Sequence, residues 1–248
     1  MRVSPRIAMR RLGAWSIRHM VVEKIRLRFR KDAALRLVSH HDLMRCFERM
    51  LRRADLPVHS SEGFHPKLRL VFALSLPLGI VGCEEVVELG LDQVIEPDEV
   101  RRRLDEQAPP GLKFLSATRV EPRKTAQVCR AGYRVAIDAA HAEMAAAAVP
   151  GLLAAAEVWV ERTRPEPRRI NVRQYLQSIR VLPNSLEIDI RVTPNGSARP
   201  DEVMRLLGLG TLLDQGAIIE RFRLELIDEC PTQENMVPEP ALATGASA

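Results

Sequence analysis

Ser39-His40-His41-Asp42-Leu43-Met44-Arg45 is the densest run of side chains able to hold an anion or move a proton. Two histidines in the first turn of a helix suit phosphate binding or proton shuttling near neutral pH. The free backbone N–H groups of that turn attract anions by themselves. The same residues also have a plainer use, in which Ser39 and Asp42 cap the helix and the histidines face water. A second cluster follows at Ser61-Glu62-Gly63-Phe64-His65-Pro66-Lys67-Leu68-Arg69. Gly63 permits close backbone approach, Phe64 suits base stacking or anchors the loop, and Lys67 and Arg69 suit phosphates.

Charge concentrates around both clusters. Between Lys24 and Arg69, twelve Lys/Arg stand against five Asp/Glu. A strand face carrying Arg26, Arg28 and Arg30, and helix positions Arg45, Arg49, Arg52 and Arg53, could track a phosphate backbone or simply be solvated. The expected RNA- or phosphate-binding set is therefore Ser39, His40, Asp42, Arg45, Arg49, Arg52, Arg53, Gly63, Phe64, His65, Lys67 and Arg69. A second basic stretch contains Arg162, Arg164, Arg168, Arg169, Arg173 and Arg180. The overall charge of +5 says less, because Arg2, Arg6, Arg10, Arg11 and Arg18 account for all of it.

These clusters need elements to position them. Residues 23–30 alternate, with Ile25, Leu27 and Phe29 on one face and Lys24, Arg26, Arg28 and Arg30 on the other, which predicts a half-buried strand. After Ser39, the spacing of Leu43, Met44, Phe47, Met50 and Leu51 predicts a helix. Residues 68–76 and 84–91 read as a hairpin across a Pro77-to-Gly82 turn. Pro97 opens a second helix, and residues 112–120 return as a strand. The order is β-α-β-β-α-β, one ferredoxin-like unit.

The second half is expected to repeat that order. Its reading is a strand at 133–138, a helix at 142–156 interrupted at Pro150-Gly151, strands at 158–162 and 185–193, a helix at 200–207 and a strand at 218–227. Pro97-Asp98-Glu99-Val100 and Pro200-Asp201-Glu202-Val203 stand at the same place in each half. The expected fold class is α+β, two tandem ferredoxin-like domains. Residues 1–21 are expected to be a disordered basic extension, 22–122 the first domain, 123–130 a linker, 131–229 the second domain and 230–248 a flexible tail. The extension resembles a transit peptide in composition, and Met20 just before the first strand offers an alternative start.

Other chemistries are disfavoured. Cys46, Cys83, Cys129 and Cys230 lie far apart and form no CxxC pair, so they read as free thiols and predict no metal site and no cofactor. No apolar run is long enough to cross a bilayer, and a cytoplasmic location is expected. There is no Walker loop, GxGxxG, HExxH or GxSxG. RNA readers of the RRM type place aromatics on the third strand, which here is acidic and ringless at Glu84, Glu85 and Glu88.

The two clusters, together with Leu56-Pro57, Leu76-Pro77-Leu78-Gly79, Val172-Arg173-Gln174-Tyr175 and Arg199-Pro200-Asp201-Glu202-Val203, resemble a bacterial family of uncharacterised, radical-SAM-associated proteins. The resemblance covers most of residues 22–228. His41 and Leu68 depart from its usual pattern, so no family role passes to them. The resemblance implies an accessory module, because this chain lacks the CxxxCxxC spacing of a radical-SAM cluster. The leading expectation is an RNA-binding or substrate-presenting partner of a separate radical-SAM enzyme, in RNA modification or maturation. The alternatives are a protein–protein adaptor for that enzyme, or a metal-independent endoribonuclease or RNA-modifying enzyme using His40 or His65.

Overall fold

The structure is a computed structural model that describes residues 21–61, 66–163 and 166–230. The expected N-terminal extension, the tail beyond residue 230 and three expected site residues, Gly63, Phe64 and His65, lie outside the described residues.

β1 (Glu23–Lys31) forms as the alternation requires, and its apolar face packs under α1 (His40–Arg53). Ser39 caps α1 by accepting from the Asp42 backbone N–H at 3.2 Å. Leu43, Phe47, Met50 and Leu51 face the sheet. β2 is only Leu70–Phe72, shorter than its apolar run, and β3 is the long strand Val81–Leu91. α2 (Pro97–Asp105) begins at its proline, and β4 (Leu112–Val120) closes the first half. The first core joins these helices to Ile25, Leu27, Phe29, Val87, Leu89 and Phe114.

The second half contains β5 (Val128–Ala136), α3 (Ala139–Ala154), β6 (Trp159–Arg162), β7 (Arg168–Asn171), β8 (Leu176–Leu182), β9 (Ser185–Arg191), α4 (Pro200–Leu206), α5 (Gly210–Asp214) and β10 (Ile219–Leu226). Four expectations need correcting. The stretch at 158–162 is not a strand of the main sheet; β6 pairs with β7 in a separate hairpin. The strand beside β9 is β8, whose bulge between Leu176 and Ser178 breaks the alternation that would have announced it. α3 runs through Pro150 rather than stopping there, and the residues read as a linker already contain the start of β5.

The result is an α+β protein built on one eight-stranded mixed sheet in the order β4-β1-β3-β10-β5-β9-β8, with β2 also on β3. In each half, the strands pair antiparallel in the same relative order, β4-β1-β3-β2 and β10-β5-β9-β8. The halves meet where β10 runs parallel to the start of β3, with Glu220 opposite Val81 and Arg221 opposite Gly82. β2 uses the same edge of β3 further along, at Val87 to Leu89. Val86 belongs to the second core while Val87 and Leu89 belong to the first, so β3 is buried on both faces. Among the described residues, no helix is long and apolar enough to cross a membrane.

Candidate nucleic-acid interface

The polar face of β1 is not a solvated surface. Lys24 and Arg26 are almost fully buried. Glu88 of β3, directly opposite Arg26, takes Lys24 Nζ at 3.0 Å and Arg26 Nη2 at 3.1 Å. Asp228 holds the same guanidinium at 2.7 Å, and Glu229 pairs with both Arg26 and Arg28. Burial opposes the Arg26 charge, but the Asp228 and Glu88 carboxylates outweigh it and raise the pKa. Arg30 is tied to Asp32 at 2.6 Å. The expectation that Arg26, Arg28 and Arg30 track a phosphate backbone is therefore corrected: Arg26 is buried among carboxylates, and the partly exposed Arg28 and Arg30 are paired with Glu229 and Asp32.

The second basic stretch dissolves in the same way. Arg162 is buried against Glu202, Arg173 donates to the Leu153 and Leu176 carbonyls, and Arg180 pairs with Glu187. Arg168 and Arg169 remain exposed, Arg169 with its guanidinium over the Trp159 ring. Arg164 lies outside the described residues.

α1 behaves differently. Arg45, Arg49, Arg52 and Arg53 are all exposed. At 100° per residue they fall on one stripe of the helix, opposite the core face, over a length of about 12 Å. Arg45 reaches Asp42 at 3.4 Å. Among the described residues, Arg49, Arg52 and Arg53 have no carboxylate partner, which sets them apart from the arginines of β1. Arg49 and Arg53 line one cleft of about 280 Å³ together with Gln107 and Pro109 from the chain after α2.

The two motifs stand at the two ends of α1. His40 opens the helix at the end of the sheet where Lys31 meets Gly82. The second motif is anchored at the opposite end. Ser61 and Lys67 bond to each other across the loop base, and Arg69 and His59 bond to Gly90. Along β3, Gly82 and Gly90 are separated by roughly 26 Å at a strand's usual rise. The described parts of the motifs therefore do not form a single pocket. The arginine stripe covers about half of that interval, ending at Arg52 and Arg53 towards the end of the sheet where exposed Lys67 and Arg69 lie.

At the first end, Ser39 and Asp42 are engaged with each other, Ser39 Oγ donating to Asp42 Oδ2 at 2.7 Å. His41 is exposed. His40 packs edge-on against Phe72 with ring centroids 5.2 Å apart, and its buried Nδ1 has no hydrogen-bond partner among the described residues. Burial, then His41, Lys31 and Arg221, push its pKa below the usual histidine value. His40 is thus held neutral where a free histidine begins to charge. Because the unfolded chain takes up this proton first, stability is fully present above about pH 6.5 and falls as pH drops through the window down to the folded pKa. Urea midpoints measured on either side of that pH should show this loss in the wild type and a smaller one in His40→Gln.

Behind His40 lies a buried charge cluster that the sequence did not announce. Arg221 of β10 is 1% exposed, and its Nε donates to Glu85 at 2.7 Å. Its Nη groups donate to the Leu74 and Ser75 carbonyls. Fully buried Lys31 donates to the Val38 carbonyl at 2.9 Å. Burial lowers the Lys31 pKa, while Glu85 works to raise it. Cysteines far apart in sequence also meet, with Cys129 and Cys230 sulfurs 2.9 Å apart.

The match to known families covers residues 24–200, through a model described as an uncharacterized protein conserved in bacteria, DUF2344. The chain belongs to this family. The matched span holds α1, its arginine stripe and both motifs, whereas Arg221, Asp228, Glu229 and Cys230 fall after it. No curated protein matches the chain. One solved structure similar to this family member is the crystal structure of an unknown protein from Galdieria sulphuraria. It is 12% identical, covers 83% of this chain and 98% of its own, and has a TM-score of 0.25.

Proposed function

We propose that the protein is an RNA-binding or substrate-presenting accessory protein that works beside a separate radical-SAM enzyme in RNA modification or maturation. The observation that carries the RNA reading is the contrast between two sets of arginines. Those of β1 are neutralised by Glu88, Asp228 and Glu229, while Arg49, Arg52 and Arg53 stand exposed in one stripe with no carboxylate partner among the described residues. Unspent positive charge in a line suits a polyanion, and exposed guanidinium groups release counterions when they meet phosphates. Arg69 is exposed but lies against Gly90 on the sheet face away from α1, so the α1 stripe stands as the unspent charge on its own face, and His40 is too enclosed to add charge at the start of the helix.

The radical-SAM partner and the cytoplasmic setting rest on the resemblance carried by the two motifs, not on a contact in the structure. The two halves are best read as tandem ferredoxin-like units. Support comes from the shared strand order and from Pro97 and Pro200 opening the corresponding helices, with Val100 and Val203 fully buried beneath them.

The test is a tagged pull-down from the native host, with and without nuclease, with bound RNA sequenced and bound protein identified. RNA that co-purifies from the wild type and is lost when Arg49, Arg52 and Arg53 are replaced supports the reading. A protein partner that survives nuclease treatment, with no RNA in either sample, replaces it with the adaptor. Cleavage of the bound RNA that stops in a His40→Ala variant replaces it with the endoribonuclease.

A further inference from the structure

The four cysteines contain one pair that the fold brings together. Cys129 lies near the start of β5, and Cys230 follows the short turn Ile227–Glu229 after β10, 101 residues later. Their sulfurs stand 2.9 Å apart, well inside ordinary sulfur contact and less than about 1 Å beyond a disulfide bond. Both cysteines line an open cleft of about 820 Å³, together with Arg28, Arg130, Arg191 and Arg223 and the carboxylates of Glu84, Glu225 and Glu229. A small molecule can therefore reach them.

We propose that Cys129 and Cys230 form a reversible disulfide, made by exchange with a small-molecule disulfide, which latches the turn Ile227–Glu229 onto β5. One protein thiolate attacks the small disulfide and expels a thiolate, leaving a mixed disulfide. The second protein thiolate attacks the protein sulfur of that mixed bond and expels the other small thiolate. The protein loses two electrons and two protons, and the small disulfide leaves as two thiols.

The latch has a defined mechanical effect. The turn it fixes carries Asp228 and Glu229, the carboxylates that neutralise Arg26 and Arg28. Without the bond, the turn is held by these ion pairs and by backbone bonds such as Ile227 N–H to the Gln127 carbonyl. Burial and the neighbouring Cys230 raise the Cys129 thiol to about 11, which slows attack by Cys129 near neutral pH.

A metal is the competing use of these atoms, because Glu225 also brings a carboxylate oxygen within 4.8 Å of both sulfurs. Two geometric facts weigh against it. Thiolates sharing one tetrahedral zinc stand about 3.8 Å apart, wider than this pair. Glu225 is also already engaged by Arg130 at 3.4 Å and Arg223 at 3.2 Å. The latch does not depend on the RNA reading.

The test equilibrates the full chain with glutathione disulfide, blocks free thiols by alkylation, and maps linkages by mass spectrometry of non-reduced peptides. The expected result is loss of two of the four thiols, a Cys129–Cys230 peptide, and reversal by reduced glutathione. Cys129→Ser and Cys230→Ser should each abolish the link, and a Cys46→Ser/Cys83→Ser double variant should keep it. Four free thiols at full oxidant, or a bond that includes Cys46 or Cys83, would overturn the proposal. So would stoichiometric zinc retained by the wild type and lost in both single variants.

Discussion

Glu85→Gln is expected to lower the unfolding free energy by about 3–5 kcal/mol, more than Arg221→Met does. The reason is the composition of the buried cluster. Glu85 is the carboxylate that faces two buried cations, bonded to Arg221 and lying in the field of Lys31. Burial drives against the charge on Arg221, and Glu85 more than offsets it. Removing the Glu85 charge leaves Arg221 and Lys31 in the interior without an anion. Removing Arg221 leaves Glu85 beside Lys31, a pair that can still balance. The cluster also joins the halves, since Arg221 of β10 reaches Glu85 of β3 and the carbonyls before it. Urea unfolding of both variants decides the point. Equal losses, or a larger loss for Arg221→Met, would show that Lys31 does not share the Glu85 charge.

Reversing Arg49, Arg52 and Arg53 together to glutamate is expected to weaken RNA binding by about a hundredfold or more while leaving the fold intact. Each reversal exchanges an attraction to a phosphate for a repulsion, a screened net change of about 1 kcal/mol. The side chains are exposed and make no ion pairs among the described residues, so stability should change by no more than about 0.5 kcal/mol each. Arg26→Met supplies the opposite control. It should destabilise the protein by stranding Glu88 and Asp228, and should leave RNA affinity unchanged. Binding titrations and urea curves on the same preparations separate the two outcomes.

Much of the first half was legible in the sequence because its signals are local. Ser39 caps α1 through Asp42, three residues on, and Leu43, Phe47, Met50 and Leu51 repeat at helical spacing. The alternation of β1 identified its apolar face correctly. It could not say what covers the other face, because the covering acids come from elsewhere. Glu88 lies 62 residues from Arg26, and Asp228 lies 202 residues away. A face that reads as a basic surface is therefore buried at Lys24 and Arg26 and closed by ion pairs at Arg28 and Arg30.

The same limit explains the rest. Arg221 and Glu85 are 136 residues apart, and Cys129 and Cys230 are 101 apart, so neither pair leaves a spacing to detect. β8 was hidden by a local irregularity: Leu176, Ile179 and Val181 do not alternate strictly, owing to the bulge. The stretch at 158–162 alternates better, yet it forms a side hairpin with β7. In the candidate site, the α1 arginines were legible as an exposed helical stripe. That they would be the arginines left without partners was visible only once the acids had been placed.

The salt dependence of RNA affinity is the most direct test of whether the α1 stripe meets phosphates. If Arg45, Arg49, Arg52 and Arg53 each contact one phosphate of a single strand, log K against log salt should fall with a slope of about −3. In the Arg49→Ala/Arg52→Ala/Arg53→Ala variant, the slope should flatten by about two. A slope near zero in the wild type, or an equal slope in wild type and variant, would contradict the account.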